Sequence, residues 1–394
     1  MKLLVISHTP HYLRENTCVG WGPTVREIDH LARIFEQVVH LAPLHPEAAP
    51  ASSLPYTSER VRLRPVRSAG GNTVREKLHF FCMAGQYFHA IRQELQGADV
   101  VQVRCPAAIS LMAIIMLSLI RAPKCRWVKY AGNWRPTDNE PWTYALQRWW
   151  LQKGLHRGVV TINGHWPEQP AHVFSFYNPS LSRAEVEQSQ LSLGKELSVP
   201  YQLLFVGAME TDKGVGRILQ MAELLKARGI EFVLHLVGGG AGQPYWEDWS
   251  REHGLSSFVF FHGWLPRPAL ADFYARAHFL VFPSVSEGWP KVLSEAMAYG
   301  VVPVAGAVSC IPQILAETGA GVAVPPLDIG SLLQALEAFL SQPERWKASS
   351  LASMAAAPLF TYEHYLKAVA GMFRQAWGIS LFQEQSPNSH QDGQ

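Results

Sequence analysis

The chain is predicted to be an α/β protein in which two parallel sheets, each wrapped by helices, face one another across a central cleft. Its 394 residues are too many for one ordinary core, and an apolar content of 48% suffices for two. Short apolar strands and amphipathic helices take turns along most of the chain, the pattern of parallel sheets with helical crossovers. The same event also occurs twice, in LLVISHTP near the start and in YQLLFVGAMETDKG at 201–214. Each is a buried strand that runs into a polar or glycine-bearing loop and then a helix, so both halves read as Rossmann-like units.

In the first half, strands are expected at VVHLAP, RVRLRPV, DVVQVRC, RWVKYAG and GVVTING, and helices over 24–35, 77–95 and 107–120. The last of these has fourteen residues, short of the roughly 20 that span a bilayer, and reads as a core helix. The first domain is placed at 1–178. A polar, weakly periodic stretch at 179–199 reads as a linker or a short surface helix. The second domain, 200–360, continues with strands VLHLVGGG, FVFFHGW, HFLVFPS, VVPVAG and GVAVPP, and helices around 215–228, 267–277, 290–299 and 330–341. A final helix follows at 361–382, and the tail 383–394, QEQSPNSHQDGQ, has no apolar anchor and is expected to be disordered.

The opening MKLLVISHTP breaks at His8 and Pro10 without a small-residue cleavage site, so it reads as a strand rather than a leader. The five cysteines are scattered without paired spacing, which points to reduced thiols and a cytoplasmic protein. Charge is uneven: residues 1–178 carry 20 Lys and Arg against 12 Asp and Glu, and the remainder 14 against 20. A basic first half suits a phosphate-bearing ligand or an acidic membrane surface, though an ordinary solvated face accounts for it equally. No nucleic-acid partner is expected.

Ligands of paired parallel sheets bind where the carboxyl ends of the strands meet the crevice. The candidate there is HFLVFPSVSEGWPKVLSEAMAYGVVPV: a strand ending at Phe282, a loop presenting Glu287 and Gly288, and Pro290 opening a helix that holds Glu295. Free amides of Lys291, Val292 and Leu293 at that helix start, aided by its dipole, would make an anion site suited to a diphosphate. Singly, Glu287 could cap a loop, Glu295 could be a solvated helix residue and Lys213 a surface charge.

Together, EGWPKVLSEAMAYGVVPV resembles the Glu-x7-Glu signature of the retaining GT-B glycosyltransferases, family 4 in particular. LLFVGAMETDKG, VGGG and FHGWLPRPALADFYARAHFLVFPS continue the resemblance in family order through the second domain. It implies that Glu287 holds donor-sugar hydroxyls, Glu295 the ribose, Lys213 the diphosphate, and the backbone near Gly263 and Trp264 the base. Gly207 would belong to the phosphate loop, and Gly22 would let a first-domain loop approach the phosphates. FTYEHYLKAVAGMFRQAW resembles the family's last helix, which crosses back onto the first domain.

Two departures stand out. Gly207 is followed by Ala208 where the family often has arginine, removing a charge-assisted contact worth about 1.5–3 kcal/mol, for which Lys291 could substitute. In RWVKYAGNWRP, Gly132 and Asn133 stand where many relatives carry a histidine; Asn133 is kept as an acceptor-side candidate. His8 and His11 read as surface or structural groups. With no Asp-x-Asp motif and no His/Cys cluster, neither metal nor cofactor is expected, a nucleotide-diphosphate-sugar being the co-substrate.

The acceptor is expected to be a saccharide, either lipid-linked in surface polysaccharide synthesis or a soluble sugar phosphate. A catalytically silent nucleotide-sugar binder is the other class, favoured by Ala208. Basic residues interleaved with Trp127, Trp134, Trp142, Trp149 and Trp150 suit a peripheral protein at the inner membrane face. A buried aromatic core with a basic rim fits the same residues.

Overall fold

The computed structural model describes residues 1–68, 74–135, 140–190 and 194–381, the side chains of 74–82 and 190 excepted. The expected disordered tail, 383–394, lies outside the described residues.

The chain starts with β1 (Lys2–Ile6), then a hairpin of β2 (His11–Arg14) and β3 (Thr17–Trp21), then α1 (Gly22–Leu31). The hairpin was not legible beforehand. Its turn places Glu15 and Asn16 both at positive φ, the backbone of a tight hairpin, without the Asn-Gly signal that usually marks one. Helix α1 starts two residues earlier than expected, with Pro23 in its first turn, and tightens after Leu31 through i to i+3 bonds from Arg33 and Ile34. Next come β4 (Gln37–Leu44), β5 (Ser53–Pro55), β6 (Val61–Arg67), α2 (Val74–Leu95), β7 (Val100–Cys105), α3 (Ala108–Leu119), β8 (Cys125–Tyr130), α4 (Trp142–Gln152), β9 (Val159–Asn163) and β10 (Val173–Phe176). Strands β6, β4, β1, β7, β8, β9 and β10 run parallel in that order, with the hairpin and β5 extending the β4 side.

Helix α5 (Arg183–Gln190) occupies the connection. The second sheet is built from β11 (Tyr201–Val206), α6 (Val215–Ala227), β12 (Phe232–Val237), α7 (Gln243–Glu252), β13 (Val259–Phe261), α8 (Arg267–Arg276), β14 (Phe279–Phe282), α9 (Lys291–Ala298), β15 (Val302–Gly306), α10 (Ile311–Thr318) and β16 (Val322–Val324). Its strand order is β13, β12, β11, β14, β15, β16, all parallel, so the order reverses between β11 and β14. That reversal opens a crevice at the carboxyl ends of these two strands. Helices α11 (Ile329–Leu340) and α12 (Pro343–Ala356) close the domain.

The chain then returns to the first domain. In α13 (Tyr362–Trp377), Tyr365, Leu366, Val369, Met372 and Phe373 recur at helical spacing and are buried against Leu3, Val5, Ile28, Phe35 and Trp127. Burying each such side chain is worth about 1.5–3 kcal/mol, enough to fix the crossover. This core also corrects part of the membrane reading: Trp127 and Trp134 are buried and cannot serve as interfacial anchors.

Candidate functional site

The site starts from two loops at the strand-order reversal. After β11, residues Thr211–Lys213 form a single tight turn that ends in Gly214 at φ 90°, a conformation that strongly favours glycine. After β14, the loop Pro283–Trp289 returns beside it, and the Val285 amide donates to the Asp212 carbonyl at 3.0 Å. The two loops bring Lys213 and Glu287 into an ion pair, Nζ to Oε1 at 2.7 Å, and Ser284 Oγ donates to the same carboxylate oxygen at 2.9 Å. Arg217 braces this arrangement from α6 by donating to the Pro283 carbonyl at 2.7 Å.

Helix α9 begins one residue later than expected, with Pro290 as its cap. The anion site narrows accordingly. The Leu293 amide is not free, because it donates to the Pro290 carbonyl at 3.1 Å, so the amides of Lys291 and Val292 remain at the helix start.

Glu295 is buried and already engaged: it accepts from Arg267 at 2.6 Å and from the Tyr274 hydroxyl at 3.2 Å. Arg267 also donates to Glu185 at 2.9 Å, and Glu185 accepts from Arg26 of α1 at 2.6 Å. A chain of alternating charge therefore runs from the first domain through α5 to Glu295.

Where the domains meet, Lys291 Nζ donates to the Pro23 carbonyl at 3.2 Å, placing it against α1. Just beneath lies Glu27, fully buried, which accepts from Lys129 at 2.6 Å, from Arg104 at 2.9 Å and from the Tyr365 hydroxyl at 3.1 Å. Burial pulls the Glu27 carboxyl upward, but Arg104, Lys129 and Lys291 outweigh it and hold it well below the usual range. Burial also pushes Lys129 down to about 8 and Lys291 to about 7, against the pull of Glu27.

Beside this cluster is a narrow crevice lined by Lys129, Thr161, Asn163, Tyr177, Asn178 and Tyr365. The buried Asn163 Nδ2 has no hydrogen-bond partner among the described residues. Gly288 faces it, and a Cβ there would overlap the Ala131 carbonyl oxygen. The His165 amide and carbonyl each bond the Gln313 side-chain amide at 2.8 Å.

The other expected residues lie as follows. Gly207 follows β11, and its amide donates to the Val237 carbonyl at 3.0 Å. Gly263 adopts φ 65° and its carbonyl accepts from Gly238 at 2.8 Å, beside the half-exposed Trp264. Gly22 is crowded by the Ser52 carbonyl and Leu54, so loop packing accounts for its missing side chain. Asn133 Oδ1 accepts from the Arg135 amide at 3.1 Å, capping a local turn. His8 is exposed, whereas His11 is buried in β2, bonded to the Thr9 carbonyl and the Tyr56 hydroxyl.

Sequence reasoning missed Glu27, Arg104, Lys129, Asn163 and Arg267. A signal existed for three of them. Strands of a parallel sheet covered on both faces read as apolar, so Arg104, Lys129 and Asn163 within VVQVRC, CRWVKY and VVTIN mark a polar belt at the strand ends. Among the described residues there is no group of three or more His, Cys, Asp or Glu placed to hold a metal, and no helix long and apolar enough to cross a membrane.

Residues 194–352 match the family model described as glycosyl transferases group 1. The chain is 28% identical over 183 residues to the D-inositol 3-phosphate glycosyltransferase of Kribbella flavida, which covers 44% of this chain and 43% of that protein. It is 29% identical over 171 residues to the O-antigen chain mannosyltransferase B of Escherichia coli, covering 41% and 42%. The chain thus aligns with less than half the length of these relatives. Likeness in structure extends further. Sucrose-phosphate synthase from Thermosynechococcus elongatus superposes with a TM-score of 0.70 at 19% identity, over 95% of this chain and 98% of that one. Anabaena HepE, solved in complex with UDP, superposes with a TM-score of 0.65 at 14% identity, over 95% and 100%. The segment 194–352 thus resembles the glycosyl transferases group 1 family, on a chain with the GT-B fold.

Proposed function

We propose that the protein is a retaining, metal-independent glycosyltransferase that moves a sugar from a nucleotide-diphosphate donor to a saccharide acceptor. The observation that carries this reading is the Lys213–Glu287 pair at the carboxyl ends of β11 and β14, next to the start of α9. The two side chains satisfy each other in this structure. A bound donor separates their roles: Lys213 turns to the diphosphate, and Glu287 accepts from hydroxyls of the transferred sugar. As the anomeric bond breaks, charge grows on the leaving diphosphate, where Lys213 and the amides of Lys291 and Val292 stabilise it. The acceptor hydroxyl attacks the anomeric carbon from the face of departure, forming the new glycosidic bond as the bond to the diphosphate breaks, and its proton passes to the leaving diphosphate oxygen. The UDP complex of HepE supports a nucleotide donor.

The acceptor is lipid-linked in this reading, in keeping with the O-antigen relative and with the basic first half. A soluble phosphorylated acceptor is the second reading, favoured by the likeness to the D-inositol 3-phosphate glycosyltransferase of Kribbella flavida.

Glu287→Ala and Lys213→Ala are each expected to lower transfer about 10²–10³-fold, with folding intact and with activity in the parent unaffected by chelators. Labelled donor and product analysis measure this. Full activity in both variants removes the mechanism; donor binding without transfer to any acceptor leaves a silent binder.

A further inference from the structure

Helices α3 and α4 end side by side at the amino ends of β8 and β9. Trp150 Nε1 donates to Ser118 Oγ at 3.0 Å, tying their last turns together. Strands β8 and β9 are neighbours, with Trp127 opposite Val159, and Gly158 packs against the Arg126 backbone. The loops 120–124 and 153–158 therefore adjoin, and they form one surface with the outer side of α4.

That surface is both apolar and basic. Leu119 is 80% exposed, Trp149 49% and Leu155 38%, while Trp142, two turns earlier on α4, is 74% exposed. Arg121, Lys124, Lys153 and Arg157 are exposed beside them, and none forms a salt bridge among the described residues. The neighbouring basic residues differ. Arg148 is paired with Glu140, and Arg126 is buried, spending its guanidinium on the carbonyls of Pro123, Leu117 and Ile120. No Asp or Glu occurs in 100–135 or in 141–167. Asp99, at the same end of β7, accepts from the Lys2 amide at 2.7 Å.

We propose that this face of the first domain docks on an anionic lipid surface, with Trp142 and Trp149 at headgroup depth and Arg121, Lys124, Lys153 and Arg157 against the lipid phosphates. Scattered exposed apolar residues are ordinary; here they share a face with four uncompensated cations. The same charge argues against a second copy of the chain as occupant, because two such faces repel. Helix α4 follows the carboxyl end of β8 and returns towards its amino end. Lying in the interface plane, it would hold the cleft side of the domain beside the membrane. The docking rests on the reading above only for its purpose, since a lipid-linked acceptor would be met there.

The test needs neither donor nor acceptor. The full chain is sedimented with vesicles of mixed phosphatidylglycerol and phosphatidylcholine, and with phosphatidylcholine alone, at low and raised salt. Binding is expected to the mixed vesicles only, weakening with salt. Each cation near an anionic surface strengthens binding about fivefold, so Arg121→Ala with Lys153→Ala should lower partitioning about 25-fold. Trp142→Ser with Trp149→Ser should lower it while leaving the salt dependence in place. Thermal unfolding like the parent's shows that each variant is folded. Equal binding to neutral vesicles, no change in the charge variant, or a dimer in sedimentation velocity that dissolves in the tryptophan variant would overturn the proposal. Loss of transferase activity on soluble acceptors leaves these outcomes untouched.

Discussion

Gly288 shows how much one missing side chain can decide. It lies between Glu287 and the start of α9, and its Cα faces the first domain so closely that a Cβ would overlap the Ala131 carbonyl and sit 3.2 Å from Asn163 Nδ2. A methyl group there leaves each domain intact and forces the two apart. Gly288→Ala is therefore expected to keep the parent's unfolding temperature within a few degrees and to increase the radius of gyration in X-ray scattering. Transfer should fall about 10²-fold, the cost of roughly 1 Å of misplacement, while donor affinity changes little. An unchanged rate would mean that this contact is not part of the working arrangement. The motif around Gly288 was legible because its parts lie within nine consecutive residues. The partners on the other side, Ala131 and Asn163, were not, since nothing local in the sequence says which strand ends will face each other.

At the scale of elements, the connection between the domains is a structured joint. Ser182 caps α5 and Glu185 answers it: the Glu185 amide donates to Ser182 Oγ at 3.2 Å, and the Ser182 amide donates to Glu185 Oε2 at 2.7 Å. The four residues SRAE carry that reciprocal capping pattern, so the helix was readable where a linker or short surface helix was expected. Its tertiary role was not, because Arg26 and Arg267, which grip Glu185, lie 159 and 82 residues away in sequence. Glu185→Gln removes both ion pairs and leaves the two guanidinium groups facing each other. A loss of about 1.5–3 kcal/mol is expected, as for hydrogen bonds to charged groups, seen as a lower unfolding temperature and faster amide exchange over 182–190. Since Arg267 also holds Glu295, the Michaelis constant for donor should rise in the same variant. Stability and Michaelis constant both unchanged would show that the chain of charges does not link the domains.

For the whole molecule, buried ionisable groups bias stability towards neutral and mildly basic pH. Burial pushes Lys129 down to about 8, and Lys195 and Lys291 to about 7. Between those values and the ordinary lysine range near 10.5, the unfolded chain holds protons that the folded one lacks, so stability rises with pH across that window and is lost as pH falls through it. His11, His156, His235 and His278, all pushed down to about 4 by burial, act in the same direction between about 4 and 6.5. Opposing groups include the buried thiols Cys105 and Cys310 and buried tyrosines such as Tyr56 and Tyr130, all pushed up by burial, which favour the folded state less once their unfolded counterparts ionise near 9 and above. The clean window therefore runs from about pH 7.5 to 9. Lys195 is the best probe, because it lies in the connection away from the site and donates to the carbonyls of Tyr274, Ala277 and Tyr299 at 2.9, 2.6 and 3.1 Å. The unfolding temperature is expected to rise across this window in the parent. In Lys195→Met it should rise less, by up to one proton's worth, about 1.4 kcal/mol per pH unit, beneath a lower overall stability from the three carbonyls left unpaired. Calorimetry at fixed ionic strength reads both. An unfolding temperature that falls from pH 7.5 to 9 in the parent would show that these lysines keep their protons on folding, and that the buried charge clusters hold more counter-charge or water than their geometry provides.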